Sequence, residues 1–474
     1  MLFNSEAFLV FALVFFPIFF SVPHRAQLWT ILAGSYVFYG WWDWRFLGLI
    51  VVCTLINFTA GAAVARARAD SRRTWLWLGI AGNLSILGFF KYFDFFVDSL
   101  RGLLGKLGVD GNFSTLDIIL PVGISFYTFQ AMSYTIDIYR GRLAPEPSLL
   151  RFAAYLALFP QLVAGPIVRA ARLLPQMRSR RRFRWPNFFL GIEMIIIGFV
   201  LKVVVADGLA STADRVFADP HTINSLYTLI GVIFFTFQIY GDFAGYSLIA
   251  IGVGRLMGFD FARNFNMPYM ARSFSEFWNR WHISLSSWLR DYVYIGLGGN
   301  RHGKWRTYRN LAVTMLLGGL WHGAAWTFVV WGGLHGAYLV LQRWVAPWWG
   351  WFTERRWVHW AMADLVAMGT VFTLTTVAWV FFRAASFDDA FAILERIVLG
   401  GDWSPAGVLR KLQVLIGALM IATLVSIELV MQNAAVRHWW DRSRAVRSGC
   451  IVLLFLTIPL LGTFEGVAFI YFQF

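Results

Sequence analysis

Charged side chains are scarce in this 474-residue sequence, at 14% of positions, against about 25% in a soluble domain. With 58% of residues hydrophobic, an ordinary soluble fold is excluded, because it could not hide so much apolar surface. Cysteine is scarcer still. Cys53 and Cys450 both lie in apolar runs, and their spacing offers no metal or redox motif, so they are read as packing residues. No Gly-rich phosphate loop occurs, and no His/Cys/Asp cluster has metal-ligand spacing. No metal and no permanently bound cofactor are expected. A Gly-x-Ser-x-Gly elbow is also missing, which argues against a serine hydrolase. The N-terminus has no basic region and no small-residue cleavage site, so Ala7–Val22 reads as a retained first span rather than a removed signal.

What the chain does have is long apolar runs without strand-like alternation. Backbone in a bilayer must satisfy its own hydrogen bonds, so these runs predict helices, not a barrel. The expected fold class is all-α: one polytopic membrane domain over 1–474. It has about eleven spans, near 7–22, 28–41, 46–64, 74–93, 118–139, 187–205, 223–241, 311–341, 365–383, 412–431 and 449–472. The stretch 311–341 reads as one broken helix or two short ones. Two further apolar pieces, 152–167 and 244–258, are interrupted by proline or glycine. They read as re-entrant segments.

The net charge is +15, from 41 basic and 26 acidic side chains. The basic residues gather in short loops. Loop 66–73 has four Arg and one Asp, and loop 169–184 has seven Arg and no acid. Both are expected on the cytoplasmic side. Segments 94–117 and 206–222 carry excess Asp and suit the outer side. Counting back places the N-terminus outside. This pattern accounts for the charge without a nucleic-acid partner, and none is expected.

After Phe259 the chain turns polar and aromatic, to about residue 310. Within it, "SFSEFWNRWHISLSSWLRDY" (273–292) has helical period. Phe274, Phe277, Trp278, Trp281, Leu285, Trp288, Leu289 and Tyr292 share one face, which predicts an amphipathic interfacial helix. Ser273 and Glu276 are placed to form a capping box at its start.

Among eight histidines, His322 and His335 lie deepest in apolar sequence. An ionisable group there is expensive and is a functional candidate, and imidazole can take and return a proton near neutrality. The alternative for His322 is a neutral ring bonded to a neighbouring helix. Gly318, Gly319 and Gly323 would let a ligand or helix approach closely. Thirteen residues on, His335 would point away from His322 on a continuous helix, as a packing or supporting group. His282 sits at the edge of the apolar face and points inward, as a core histidine or a functional one. Asp242, between glycines in "QIYGDFAGYS" (238–247), could orient a histidine or arginine, or cap the following helix. Gln130, Ser133 and Asp137 suit interhelical hydrogen bonds. Glu193, Lys202 and Glu428 are lone charges with no assigned role.

Two long motifs, "EFWNRWHISLSSWLRDYVYIGLGGNR" (276–301) and "LLGGLWHGAAWTFVVWGGLHG" (316–336), resemble the membrane-bound O-acyltransferase (MBOAT) family, in its bacterial polysaccharide branch. "PVGISFYTFQAMSYTIDIYRG", "FPQLVAGPIVR", "DFAGYSLIAIG" and the terminal "YFQF" are similar to that branch too. The resemblance covers nearly the whole chain. It implies a ring of tilted helices around a thinned centre, in a bacterial inner membrane. It further implies that His322 is the embedded catalytic histidine and His282 the second polar position. Trp321 and Gly323 would then border the substrate, beside Asp242. The implied reaction moves acetyl groups from cytoplasmic acetyl-CoA to a periplasmic acceptor protein, for O-acetylation of an exopolysaccharide such as alginate or cellulose. Arg280, Arg290, Arg301 and loop 169–184 could attract the CoA phosphates, the alternative for most of them being positive-inside topology alone. Gly241 and Gly296 depart from the usual pattern, which bears on the polymer more than on the reaction. A transporter without chemistry, a long-chain lipid or protein acyltransferase, and a scaffold that only recruits partners are the competing readings.

Overall fold

The computed structural model describes residues 1–109, 115–353, 360–405, 408, 411–464 and 469–470. The terminal YFQF (471–474) lies outside the described residues. Every regular element among the described residues is helical, as the unbroken apolar runs require. Seven helical runs are long and apolar enough to cross a membrane: His24–Arg66, Arg72–Lys106, Trp185–Ala218, Ser225–Leu256, Ala361–Arg383, Leu412–Gln432 and Arg444–Leu461. The expected eleven is not reproduced by length and composition. Two of the expected spans are helices of only sixteen residues, Glu6–Ser21 and Ile124–Tyr139, and the run His24–Arg66 merges two others.

The chain divides into two compact units, 1–195 with 249–262, and 196–248 with 263–474. The first unit contains α1 (Glu6–Ser21), α2 (His24–Asp43), α3 (Leu47–Arg66), α4 (Arg72–Leu87), α5 (Phe93–Lys106), α6 (Ile124–Tyr139), α7 (Leu149–Ala157), α8 (Phe159–Leu162), α9 (Ala170–Leu173) and most of α10 (Trp185–Phe199). A buried amide pair ties its middle together. Asn57 and Asn83 exchange hydrogen bonds of 2.9 and 3.1 Å, and the Thr135 hydroxyl donates to Asn57 at 3.0 Å. Polar links of this kind hold α3, α4 and α6 where apolar faces alone give little preference in lipid. The piece 152–167 is broken, as expected. It holds the buried part of α7 (152–157) and the buried four-residue α8, both helices too short to span. Gly123 enables this packing. Its φ is +74°, and a Cβ there would lie 2.3 Å from the Leu162 carbonyl oxygen.

The second unit holds α11 (Asp207–Ala218), most of α12 (Ser225–Leu256), α13 (Phe274–Arg280), α14 (Ile283–Trp288), α15 (Lys304–His322), α16 (Trp326–Thr353), α17 (Trp360–Arg383), α18 (Phe387–Val398), α19 (Leu412–Gln432), α20 (Ala434–Arg442) and α21 (Arg444–Leu461). The expectation of a re-entrant piece at 244–258 is corrected here. Helix α12 runs unbroken for 32 residues through it. Its glycines serve close approach instead of interruption. A Cβ at Gly245 would sit 2.6 Å from the Gly198 carbonyl oxygen at the end of α10.

The expected single amphipathic helix over 273–292 is also corrected. It is two short helices, α13 and α14, separated by Trp281 in extended conformation and His282 at φ +42°. The start is as expected in part. Ser273 caps the Glu276 amide at 3.1 Å, but the Glu276 carboxylate returns to the Arg272 amide at 2.8 Å, one residue before the cap. The stretch 311–341 resolves into two helices. Helices α15 and α16 form a hairpin through backbone contact, because Gly319 faces the Phe328 carbonyl and Gly332 faces that of Met315. A Cβ would meet those oxygens at 2.2 and 2.3 Å.

Candidate active site

The break between α13 and α14 carries His282, and the end of α15 carries His322. Left-handed backbone at a non-glycine residue is uncommon and persists only when its surroundings enforce it. Here the segment 264–266 does so. The Ile283 amide donates to the Asn264 carbonyl at 2.8 Å, and the Asn266 amide donates to the Arg280 carbonyl at 2.9 Å. The two bonds bracket His282 and hold the kink.

His322 is the last residue of α15, and Gly323 follows in extended conformation. A side chain at Gly323 would meet the Phe328 ring at 2.1 Å, so glycine is required for the chain to turn into α16. These two local breaks bring the imidazoles to a centroid separation of 6.3 Å. Both are buried, His282 fully and His322 to 4% exposure. Trp321 lies 5.6 Å from His282 and 5.0 Å from His322, and Trp331 and Phe382 close the His322 side at 4.9 and 5.4 Å. Phe243 of α12 meets His282 edge-on at 4.6 Å. The pair thus sits in an aromatic box that excludes bulk water and strengthens any electrostatic interaction made inside it.

Below the box lies a cavity of about 200 Å³, lined among others by Trp278, Asn279, Ser287, Arg290, Thr314 and Arg343. Trp278 separates it from Trp331, the two rings 5.8 Å apart. Trp278 and Trp331 thus link the cavity wall to His322 ring by ring. Arg290 carries Asp291 at 2.8 Å, and that carboxylate raises the guanidinium further above its ordinary range. Arg290 and Arg343 put two guanidiniums on a cavity that is otherwise largely apolar.

The other residues singled out in the sequence fall elsewhere. Arg280 is engaged by Glu276 at 2.7 Å and by the Asn266 and Met267 carbonyls. Asp242 lies in the middle of α12, not at a cap. Its carboxylate pairs with Lys202 at 2.7 Å and accepts the Ile470 amide at 2.7 Å. Asp207 shares the same Lys202 at 2.7 Å. His335 is stacked on Phe277 and boxed by Trp278 and Trp331, as expected of a packing group. In the basic loop, Arg172 pairs with Asp260 at 2.5 Å, and the Arg181 backbone is clasped by Gln27. Glu428 accepts from the Tyr240 hydroxyl.

Sequence reasoning missed Asn264, Ser247 and Ser284. Their side chains connect to His282. The Asn264 Oδ1 lies 3.2 Å from His282 Nδ1, 3.2 Å from the Ser284 amide and 2.9 Å from the Ser284 hydroxyl, while its Nδ2 donates to Ser247 at 3.0 Å. No periodicity marks these positions, because 264 belongs to a coil and 247 to a buried helix face. Lys202 and Arg343 were likewise unassigned.

Comparison with known proteins bears on the chemistry. The model of the membrane-bound O-acyltransferase family, MBOAT, matches residues 142–378. A probable alginate O-acetylase AlgI of Azotobacter vinelandii is 42% identical over 449 residues, 93% of this chain and 86% of that protein. Its counterpart of the same name in Pseudomonas aeruginosa is 41% identical, over 93% of this chain and 83% of its own length. A peptidoglycan O-acetyltransferase of Helicobacter pylori is 35% identical, over 79% of this chain and 74% of its own.

Proposed function

From the premise that this chain belongs to the membrane-bound O-acyltransferase family and is a multi-pass membrane O-acyltransferase, we propose that it transfers acetyl groups for O-acetylation of an exopolysaccharide of the alginate kind. The donor is acetyl-CoA, taken from the cytoplasmic side of the inner membrane. The acceptor is a periplasmic protein or the polymer itself. The observation that carries this reading is the buried His282–His322 pair, 6.3 Å between ring centroids, inside an aromatic box.

Acetyl transfer needs three things at one point. The acceptor hydroxyl must lose its proton as it attacks, the thioester carbonyl must be held, and water must be kept out. His322 takes the hydroxyl proton while the oxygen bonds to the thioester carbon. The carbon–sulfur bond then breaks and the CoA thiolate leaves, to be protonated by the imidazolium. Such base catalysis contributes about 10²–10⁴-fold. Trp321 and Gly323 border the reacting atoms. The cavity beneath Trp278 supports a donor entering with its phosphates towards Arg290 and Arg343. A transporter gains nothing from two imidazoles buried among tryptophans, and a site for chemistry does.

The test is radiolabelled acetyl-CoA with the protein in lipid nanodiscs and alginate oligosaccharide on the opposite face, wild type against His322→Ala. Label transfer and CoA release in the wild type, lost in a folded variant, are the expected outcome. Equal turnover in the variant removes His322 from the chemistry. No turnover in the wild type with any acceptor favours the transport reading.

A further inference from the structure

The hydrogen bonds around Asn264 settle a point that a bare pair of imidazoles leaves open: which nitrogen of His282 carries the proton. The Ser284 backbone amide can only donate, and it points at one atom of the Asn264 amide group at 3.2 Å. That atom must be the oxygen, since the amide nitrogen would oppose one N–H to another. The other end agrees. Asn264 Nδ2 donates to the Ser247 hydroxyl at 3.0 Å. An oxygen can only accept, so the His282 nitrogen 3.2 Å from it must be the donor. Nδ1 therefore bears the hydrogen, and Nε2, on the opposite edge of the ring, presents a lone pair. All four groups are at least nine-tenths buried: Asn264 and Ser247 at 1% exposure, Ser284 at 6% and His282 at 0%. Bulk solvent therefore does not reach these groups.

Resting on the acetyl-transfer reading, we infer that Asn264 is a positioning residue that fixes His282 as its Nδ1–H tautomer, so that Nε2 serves the reaction as a hydrogen-bond acceptor and orients the acceptor hydroxyl. A neutral His282 in this state cannot donate from Nε2 to the thioester carbonyl oxygen. The carbonyl must be held by other donors, and His282 acts on the nucleophile side of the reaction. The Ser284 amide, which can only donate, keeps the Asn264 amide from turning over, and the Ser247 hydroxyl takes up the Nδ2 hydrogen. The kink does the rest. The same Asn264 residue holds the Ile283 amide through its own carbonyl at 2.8 Å, so backbone position and ring tautomer are set by one side chain and its backbone.

The titratable group facing His282 from α15 is His322. On α12 Phe243 meets the His282 ring, and Ser247 is linked to it through Asn264. Asp242 next to Phe243 is tied to Lys202 and the Ile470 amide, and Tyr246, one residue before Ser247, stacks on Phe469. On the 264–266 segment, Phe265 lies against the ring and carries no charge. The neighbouring Arg263 is engaged by Asn266.

The test reads the tautomer directly. Full-length protein labelled with ¹⁵N-histidine is reconstituted in nanodiscs, and the His282 ring signals are assigned by their loss in His282→Gln. The expected wild-type spectrum has a protonated Nδ1 and an unprotonated Nε2. Asn264→Leu should admit the other tautomer and lower kcat with acetyl-CoA and alginate oligosaccharide by at least about tenfold, as wrong-tautomer imidazoles do, with KM for acetyl-CoA unchanged. Asn264→Asp keeps an oxygen at the same place and should retain the tautomer. Its carboxylate favours the imidazolium, so the loss of kcat on acidification should begin at higher pH than in the wild type. A wild-type spectrum with protonated Nε2 overturns the inference, as does an Asn264→Asp pH profile that superimposes on the wild type. The spectrum needs no turnover. A protein that fails to transfer acetyl groups but shows the Nδ1–H tautomer refutes the functional reading and leaves the positioning by Asn264 standing.

Discussion

His282 and His322 are forty positions apart in the chain, yet their rings stand 6.3 Å apart in a buried aromatic box. Neither helix alone could arrange this. The kink at His282 and the helix end at His322 each turn one imidazole out of its own element and towards the other.

His335 gives the control for that pair. It is fully buried, stacked on Phe277 at 5.8 Å, and among the described residues neither of its ring nitrogens has a hydrogen-bond partner. A buried polar group without a partner costs about 1–3 kcal/mol. His335→Phe should keep the stacking, raise thermal stability in detergent and leave acetyl transfer within about threefold of wild type, on the reading of His335 as a packing group. A hundredfold loss of turnover in a stable variant would place His335 in the chemistry instead.

The α15–α16 hairpin predicts a sharp distinction between adjacent glycines. At Gly332 a methyl would press on the Met315 carbonyl oxygen at 2.3 Å, whereas at Gly333 it would find Leu316 at an ordinary 3.6 Å. Gly332→Ala should destabilise by about 1–3 kcal/mol, typical of overpacking, and displace His322 enough to cut kcat. Gly333→Ala should be near neutral in both respects. Thermal denaturation and turnover measured side by side decide it, and equal effects of the two changes would contradict the hairpin packing.

Asp242 is held by Lys202, which Asp207 also engages. Removing one member of a buried ion pair leaves an uncompensated charge and costs about 3–5 kcal/mol. Lys202→Met strips the cation from both carboxylates and should therefore lose most of its activity through loss of folded protein. The triple change Lys202→Met with Asp207→Leu and Asp242→Leu should recover much of the stability. Asp242→Ala leaves the Lys202–Asp207 pair and should be milder; if it is stable and raises KM for a substrate, the carboxylate belongs to the binding site.

Arg290 and Arg343 line one cavity beneath the histidine box. Replacing either with Glu should raise KM for acetyl-CoA roughly tenfold while kcat changes little, because the phosphates lie far from the reacting carbon. Added salt should weaken wild-type donor binding and shrink the difference between wild type and variant. Kinetics at two ionic strengths supply the measurement. A fall in kcat at unchanged KM would detach the cavity from donor binding.

Much of this molecule could be read from residue order. The apolar runs, the scarcity of charge and the two long motifs identified a helical membrane acyltransferase and pointed to His322 and His282. The hairpin at 311–341 and the broken 152–167 segment were legible too, since glycine and proline interrupt helices by local backbone chemistry. The glycines of 244–258, Gly245 among them, read as helix breakers in the sequence, and the structure differs. Inside a membrane bundle the same residues permit backbone approach, and which role applies depends on whether another helix is there. The structure differs again over 273–292, where the amphipathic period persists across a kink, because both short helices bury the same aromatic face.

Patterns of period and charge report what each segment can do with its own neighbours in the chain, and so they set element type, membrane class and the chemical identity of the candidate base. Pairings across the sequence obey no period. Lys202 with Asp242 and Ile470, and Asn264 with His282, Ser284 and Ser247, exist because folding brings coil, helix centre and helix end to one place and then removes water from it. Once water is gone, each polar atom must find its partner within reach. That requirement, absent from the linear chain, selects the tautomer of His282.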